Sequence, residues 1–221
     1  MCIRDSSLPE QQQLDDAADL AAQIAREGGA SDCAVAATAH TGISVALREG
    51  EVESLEFQSD RDLGITVYFG NRKGHAATAD FRPEAIREAV LAACSIARHT
   101  QDDPAAGLPD ADSLATTFPD LKQDHPTTRS LEGLLELARN CESRGLNDDA
   151  IQASDGVHVN ASRQCSLLIN SQGFRGSSIG SDYGLSLTLI GRDESGMRRD
   201  YWYSHDPVSY THLRAHETSL H

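Results

Sequence analysis

The chain of 221 residues is 39% hydrophobic and 24% charged, which suits one medium or two small globular domains with a buried core. Its 19 basic and 34 acidic residues leave a net charge of −15, and because such a field repels phosphates and anionic lipids, nucleic-acid and membrane-surface binding are disfavoured. No apolar run approaches the roughly 20 residues that cross a bilayer, and the N-terminus lacks a signal-peptide pattern, so we expect a cytoplasmic protein.

The first half of the chain has the pattern of a helix followed by a group of strands. Small apolar residues recur at helical spacing over residues 14–25, and two glycines at 28–29 predict the end of this helix. Over residues 33–79 the apolar period changes to two, which predicts strands. The glycine-containing segments 49–50 and 70–74 predict hairpin turns, so we expect a largely antiparallel sheet.

A second helix closes the first half of the chain, and a long connection then leads to a third helix and further strands. An apolar stripe behind Pro83 predicts a helix that ends near His99, and the proline- and aspartate-rich residues 101–128 predict a linker or surface connection. A third helix is predicted from an N-cap at Ser130 to Gly145, and alternating strands return over residues 157–189.

This order of elements predicts an α+β fold built as two tandem units of largely antiparallel sheet with amphipathic helices. The units are residues 7–100 and 129–207, joined by 101–128. Each end fits no element: residues 1–6 and 208–221 resemble translated sequencing adapter, and we expect both to be non-native. We therefore expect a truncated chain in which the first unit folds alone and the second is less protected from hydrogen exchange.

The sharpest catalytic pattern lies in the predicted non-native tail. His216, Glu217 and His221 match H-E-x-x-x-H, in which two imidazoles bind zinc and the glutamate activates a water. The second histidine is the last residue, no apolar helix surrounds the pair, and no third ligand follows. We therefore assign no metal-binding residue to this chain.

Other candidate motifs have ordinary structural interpretations. Residues 176–180 (GSSIG) match the G-x-S-x-G nucleophile elbow, but a strand pattern follows, which favours a turn between strands. Residues 201–203 (YWY) suggest an interface anchor or, more commonly, a strand packed on a core. No phosphate-binding glycine motif is present. The scattered histidines are predicted to be surface or capping residues; they are His40, His75, His99, His125 and His158. The cysteines are odd in number and are predicted to be reduced, mostly buried thiols; they are Cys2, Cys33, Cys94, Cys141 and Cys165.

One ordered series of segments resembles a known family. Residues 41–45 (TGISV), 49–57 (EGEVESLEF), 63–68 (LGITVY) and 71–74 (NRKG) resemble the N-terminal domain of the PmbA/TldD family, in its PmbA (TldE) branch. A looser likeness to the family's second domain extends through residues 130–203. On this resemblance, residues 7–100 are the N-terminal domain, 101–128 a linker, and 129–207 a truncated second domain.

The resemblance implies a subunit of a cytoplasmic zinc metalloprotease that processes peptides and degrades unfolded proteins as a TldD-PmbA heterodimer. In that family the zinc motif belongs to the TldD-type subunit, and PmbA-type chains act as its partner. We therefore expect a fragment of a PmbA-type subunit that is non-catalytic by itself. No catalytic, cofactor-binding or metal-binding residue is assigned to this chain, and zinc is expected in the TldD-type partner.

The alternative is an acidic protein-binding regulatory module that docks on a basic partner such as a topoisomerase subunit. The net charge of −15 and an older description of the family as modulators of DNA gyrase favour it. A complex with such a partner would be sensitive to salt, because charge attraction fades over a Debye length of about 8 Å.

A chain lacking residues 208–221 is expected to bind no stoichiometric zinc, because the only H-E-x-x-x-H pattern is then removed. Elemental analysis of the purified, dialysed protein measures this directly. One tightly held zinc per truncated chain would contradict its assignment as a non-catalytic subunit.

Overall fold

The computed structural model describes residues 7–127, 129–193 and 196–207. Within these ranges the chain forms three α-helices, six β-strands and a single 3-10 turn at Ala111–Ser113. The helices are α1 (Ser7–Glu27), α2 (Pro83–His99) and α3 (Leu131–Gly145). The strands are β1 (Asp32–Arg48), β2 (Glu51–Phe69), β3 (Arg72–Thr78), β4 (Ile151–Asn170), β5 (Arg175–Asp193) and β6 (Gly196–Asp206).

All six strands belong to one sheet in the order β3-β2-β1-β4-β5-β6, and every neighbouring pair is antiparallel. The predicted α+β class and antiparallel sheet are confirmed. The strands of the two predicted units join through β1 and β4, which pair continuously from Ala34 opposite Asn170 to Leu47 opposite Val157. Among the described helices, none combines the length and apolarity that crossing a bilayer requires.

The strands are longer than the apolar pattern indicates. The apolar stretches around residues 33–37 and 43–47 belong to the single strand β1, and those around 55–57 and 65–69 belong to β2. The polar residues between them stay in the sheet because their backbone groups still pair with neighbouring strands. Polar side chains in the middle of a strand therefore mark a part of the sheet that no helix covers or that polar groups contact.

Two buried cores lie on the same face of this sheet. Because side chains alternate along a strand, the odd-numbered residues of β1 and β4 share one face, and both cores draw on them. The first core packs α1 and α2 on one half of the sheet and includes Cys165, Leu167 and Ile169 of β4. The second packs α3 on the other half, over Ile43, Val45, Leu47, Val157, Val159, Ala161 and Leu185.

The first core therefore extends beyond the first predicted unit. Cys165, Leu167 and Ile169 come from the second unit, and Arg175 of β5 forms ion pairs with Asp15 and Asp19 of α1. Residues 7–100 alone would expose apolar surface that β4 covers here. Independent folding of this unit stays a prediction, and the uncovered apolar surface would oppose it.

The predicted helix ends and hairpin turns agree with the structure. Ser130 caps α3, since its side-chain oxygen accepts a hydrogen bond from the Gly133 amide at 3.2 Å. Glu49 and Gly50 both have positive φ, at 51° and 81°, which suits the two-residue turn between β1 and β2. Glycine at 50 makes this turn possible with little strain.

Substitution of Gly74 by alanine is expected to lower the free energy of unfolding by about 2–3 kcal/mol, because α2 packs directly against this position of β3. A Cβ atom there would lie 2.1 Å from the Ala93 carbonyl oxygen and 2.5 Å from the Ala97 amide nitrogen, both backbone atoms. Urea unfolding followed by circular dichroism measures the change. Gly107→Ala is the matched control, with nothing within 4 Å of its Cβ, and a loss of equal size there would contradict this explanation.

Candidate functional site

The long connection between α2 and α3 reaches the middle of the sheet, in the gap between the two cores. Arg163 of β4 occupies a core-facing position, and its charged side chain is only 6% exposed. It forms a bidentate ion pair with Asp124 of the connection. The Nε to Oδ1 and Nη2 to Oδ2 distances are 2.7 and 2.6 Å. Hydrogen bonding to Asp124 raises the pKa of Arg163 above its usual value.

The same segment is bound to β5 beside this ion pair. The Ser181 amide donates to the Gln123 carbonyl oxygen at 2.9 Å, and the His125 amide donates to the Ser181 hydroxyl oxygen at 2.8 Å. The Tyr183 hydroxyl donates to the His125 carbonyl oxygen. Burial raises the pKa of Tyr183, which keeps the hydroxyl protonated as this donor. These bonds give the connection a defined path over the sheet.

A buried acidic side chain also joins the two halves of the chain. Glu142 of α3 is 2% exposed, and its carboxylate accepts hydrogen bonds from the amides of Glu49 and Gly50 at 2.9 and 2.7 Å. The helix thereby holds the β1–β2 turn with charge-assisted bonds. Sequence analysis found neither this residue nor Arg163, although a charged residue between the core-facing Ala161 and Cys165 is a detectable signal.

An open groove of about 370 Å³ lies mainly on the opposite face of the sheet. It is lined by imidazole, hydroxyl, amide and carboxylate groups, including those of His40, Ser162, Gln164, Ser166, Ser178 and Asp182. The hydroxyls of Ser166 and Ser178 bond each other at 2.7 Å. Asp182 accepts a hydrogen bond from Asn160 at 3.0 Å and pairs with His205. The groove can bind polar groups, but no serine in it is bonded to a histidine base among the described contacts.

The motif residues of the sequence analysis are not brought together. Residues 176–180 lie inside strand β5. The predicted turn there is therefore wrong, and a nucleophile elbow, which needs a strand-to-helix turn, is also excluded at these residues. His40 lines the groove, His75 contacts Thr66 at 3.1 Å, and His99 contacts the Ser95 carbonyl oxygen at the end of α2. His216, Glu217 and His221 lie outside the described residues.

The aromatic cluster forms part of an exposed strand at one edge of the sheet. Tyr201 and Tyr203 stack with ring centroids 6.3 Å apart, and Trp202 points to the opposite side of β6. All three side chains are exposed, so within the described structure they do not pack on a core. The interpretation as a core strand is wrong, and the interface interpretation stays a prediction.

Comparison with known proteins shows which family the chain belongs to. Sequence models of the PmbA/TldA metallopeptidases match twice, as domain 1 over residues 33–97 and as the central domain over residues 124–218. The chain is 41% identical over 193 residues to Metalloprotease PmbA of Escherichia coli O157:H7, covering 86% of this chain and 42% of the relative. The chain belongs to the PmbA/TldD family.

A further sequence relative supports this family, and two solved structures share the fold of the chain. A Metalloprotease PmbA homolog of Haemophilus influenzae is 38% identical over 88% of this chain and 43% of its own length. Among solved structures, TldE of Thermococcus kodakarensis superposes with a TM-score of 0.71 at 16% identity, over 86% of this chain and 42% of that one. A Bacteroides thetaiotaomicron protein described as a candidate modulator of DNA gyrase superposes with a TM-score of 0.79 at 21% identity. The match covers 86% of this chain and 44% of that one. The chain spans under half the length of these relatives.

The family's metallopeptidase character raises the question of a metal site in this chain. Within residues 7–127, 129–193 and 196–207, no three His, Cys, Asp or Glu side chains come together as possible metal ligands. The described residues thus do not fit a zinc centre, and no catalytic step is assigned to them. The absence of catalytic and metal residues from this chain as a whole stays a prediction.

The cysteines of this PmbA/TldD chain are thiols in apolar surroundings. Cys33, Cys94 and Cys165 are buried, and Cys141 is partly buried; Cys2 lies outside the described residues. Burial raises the pKa of each of the four described thiols. Reduced, poorly nucleophilic cysteines at these four positions agree with the sequence prediction.

Replacement of Asp124 by asparagine is expected to lower the free energy of unfolding by about 2–3 kcal/mol, since it leaves the buried Arg163 charge without its carboxylate. The double variant with Arg163→Met should lose less than the sum of both single losses. Urea unfolding of the four proteins gives the coupling energy. Asp112→Asn, at an exposed position, is the control, and strictly additive losses would show that the ion pair is not coupled.

Proposed function

We propose that the chain acts as a PmbA-type subunit of a cytoplasmic zinc metalloprotease, together with a TldD-type partner that holds the zinc. The observation that carries this proposal is 41% identity to Metalloprotease PmbA over 86% of the chain. The heterodimer, its peptide or unfolded-protein substrates and the zinc of the partner follow from the resemblance of the chain to the PmbA branch.

The geometry of the described residues favours a supporting role over a catalytic one. In the groove the Ser166 and Ser178 hydroxyls bond each other, with no bond to an imidazole among the described contacts, and the Asp182 carboxylate is already bonded to Asn160 and His205. The exposed Tyr201, Trp202 and Tyr203 at one sheet edge are side-chain types that are enriched in protein interfaces. A partner that covers this edge would bury large aromatic surface at little conformational cost.

A second candidate function is regulation by docking on a basic protein. The net charge of −15 and the Bacteroides relative described as a candidate gyrase modulator favour it. A complex with a basic partner that forms without any TldD-type subunit and weakens steeply with salt would support this function.

Proteolysis of an unfolded, fluorescently labelled protein tests the main proposal. The chain alone, a TldD-type subunit alone and the co-purified pair are compared, with and without a zinc chelator. We expect the pair to cleave about tenfold faster than the TldD-type subunit alone, the chain alone to be inactive, and the chelator to abolish cleavage. Equal cleavage by the TldD-type subunit without this chain, or cleavage by this chain alone, would contradict the proposal.

A further inference from the structure

The first half of β2 is an open sheet edge. β3 pairs with β2 only from Leu63 to Phe69, so on that side residues 51–62, which we call the open edge, have no partner strand among the described residues. On the other side the open edge pairs with β1, with one register shift that leaves Glu53 without a partner residue. An unpaired strand presents a row of free backbone donors and acceptors, which a further strand can bind.

One face of the open edge is apolar and uncovered. Val52, Leu55 and Phe57 stand opposite Leu47, Val45 and Ile43 of β1, which belong to the second core. Helix α3 contacts β1, β4 and β5 but not β2, so this row extends past the helix that covers the core. The exposed fractions are 44% for Val52, 40% for Leu55 and 64% for Phe57. A bound side chain would bury apolar surface here.

The other face of the open edge is acidic. Glu56, Asp60 and Asp62 alternate with the apolar row and are exposed, opposite Ser44, His40 and Thr38 of β1. In all, the open edge contains five acidic residues and one basic residue, Arg61, which lies on the apolar face 5.9 Å from the Phe81 ring centroid. Apolar and acidic side chains thus point to opposite sides of a single strand.

We propose that the open edge binds an extended segment of unfolded polypeptide in which apolar residues alternate with basic ones. The segment adds a seventh strand, its backbone bonding the free edge of β2. Its apolar side chains pack beside Leu55 and Phe57, while its lysines or arginines lie beside Glu56 and Asp60. Opposite charges on neighbouring strands stabilise this arrangement.

A second copy of the chain fits the open edge less well than such a segment. Antiparallel pairing of two open edges would bring the acidic rows of both copies together on one face. Like charges on neighbouring strands are destabilising. The acidic row therefore selects a basic strand over self-association.

Binding of a fluorescent peptide of about twelve residues that alternates valine and lysine tests this proposal on the chain alone. No TldD-type subunit is needed, so failure here leaves the proposed protease role untouched. Hydrogen exchange locates the bound strand, and we expect the amides of residues 51–62 to gain protection. N-methylation of the peptide on its bonding edge should weaken binding about tenfold, since it removes the backbone donors.

Matched variants separate the open edge from general charge attraction. Phe57→Ser, and the double variant Glu56→Lys with Asp60→Lys, should each weaken binding at least about fivefold. Leu121→Ser replaces an equally exposed apolar residue elsewhere, and Glu88→Lys with Asp112→Lys makes the same change in net charge. Both controls should bind within about twofold of the unchanged chain.

Three outcomes would overturn the proposal. The first is an equal loss of peptide binding in the Glu88→Lys, Asp112→Lys control, which would show that net charge alone explains the effect. The second is unchanged binding of the N-methylated peptide, which would exclude strand addition. The third is a dimer of the chain that forms through residues 51–62, is lost in Phe57→Ser and excludes the peptide, which would make a second copy the occupant.

Discussion

The antiparallel pairing of β1 with β4 is the interaction on which the rest of the fold depends. It joins residues 34–47 to residues 157–170, more than a hundred positions apart in the sequence. Because it makes one sheet of six strands, the helices of both halves can cover the same face, and each core contains residues from both halves. The closure of such a long loop costs entropy that only the burial of both cores repays.

The polar contacts between the cores follow from this shared sheet. Long strands pass under α1 and α2 at one end and under α3 at the other, so their middle sections have no helix above them. The connection between α2 and α3 reaches this gap, where Asp124 binds the buried Arg163 and the neighbouring backbone groups bind Ser181 and Tyr183. Glu142 joins α3 to the β1–β2 turn in the same way. Buried charge is stable here because each group has its partners.

Two uncovered edges of the sheet are available for binding. One edge of the sheet carries the exposed aromatic residues of β6, and the other carries the open edge of β2 with its apolar and acidic rows. Natural sheets usually shield such edges with charge, turns or covering segments. The acidic row of residues 51–62 provides charge of one sign only, which repels a second copy and attracts a basic strand.

The sequence by itself determined the local elements: the Ser130 cap, the Glu49-Gly50 turn, the strand alternation, the α+β class and the PmbA/TldD resemblance. Those features depend on neighbouring residues, whose spacing and turn chemistry are visible in one dimension. Only the tertiary structure decided that β1 and β4 form one sheet, that Arg163 is buried on Asp124, and that the aromatic residues of β6 and the open edge are exposed. An alternating pattern shows which side chains share a face, but the strand beside them and the helix above them come from distant parts of the chain.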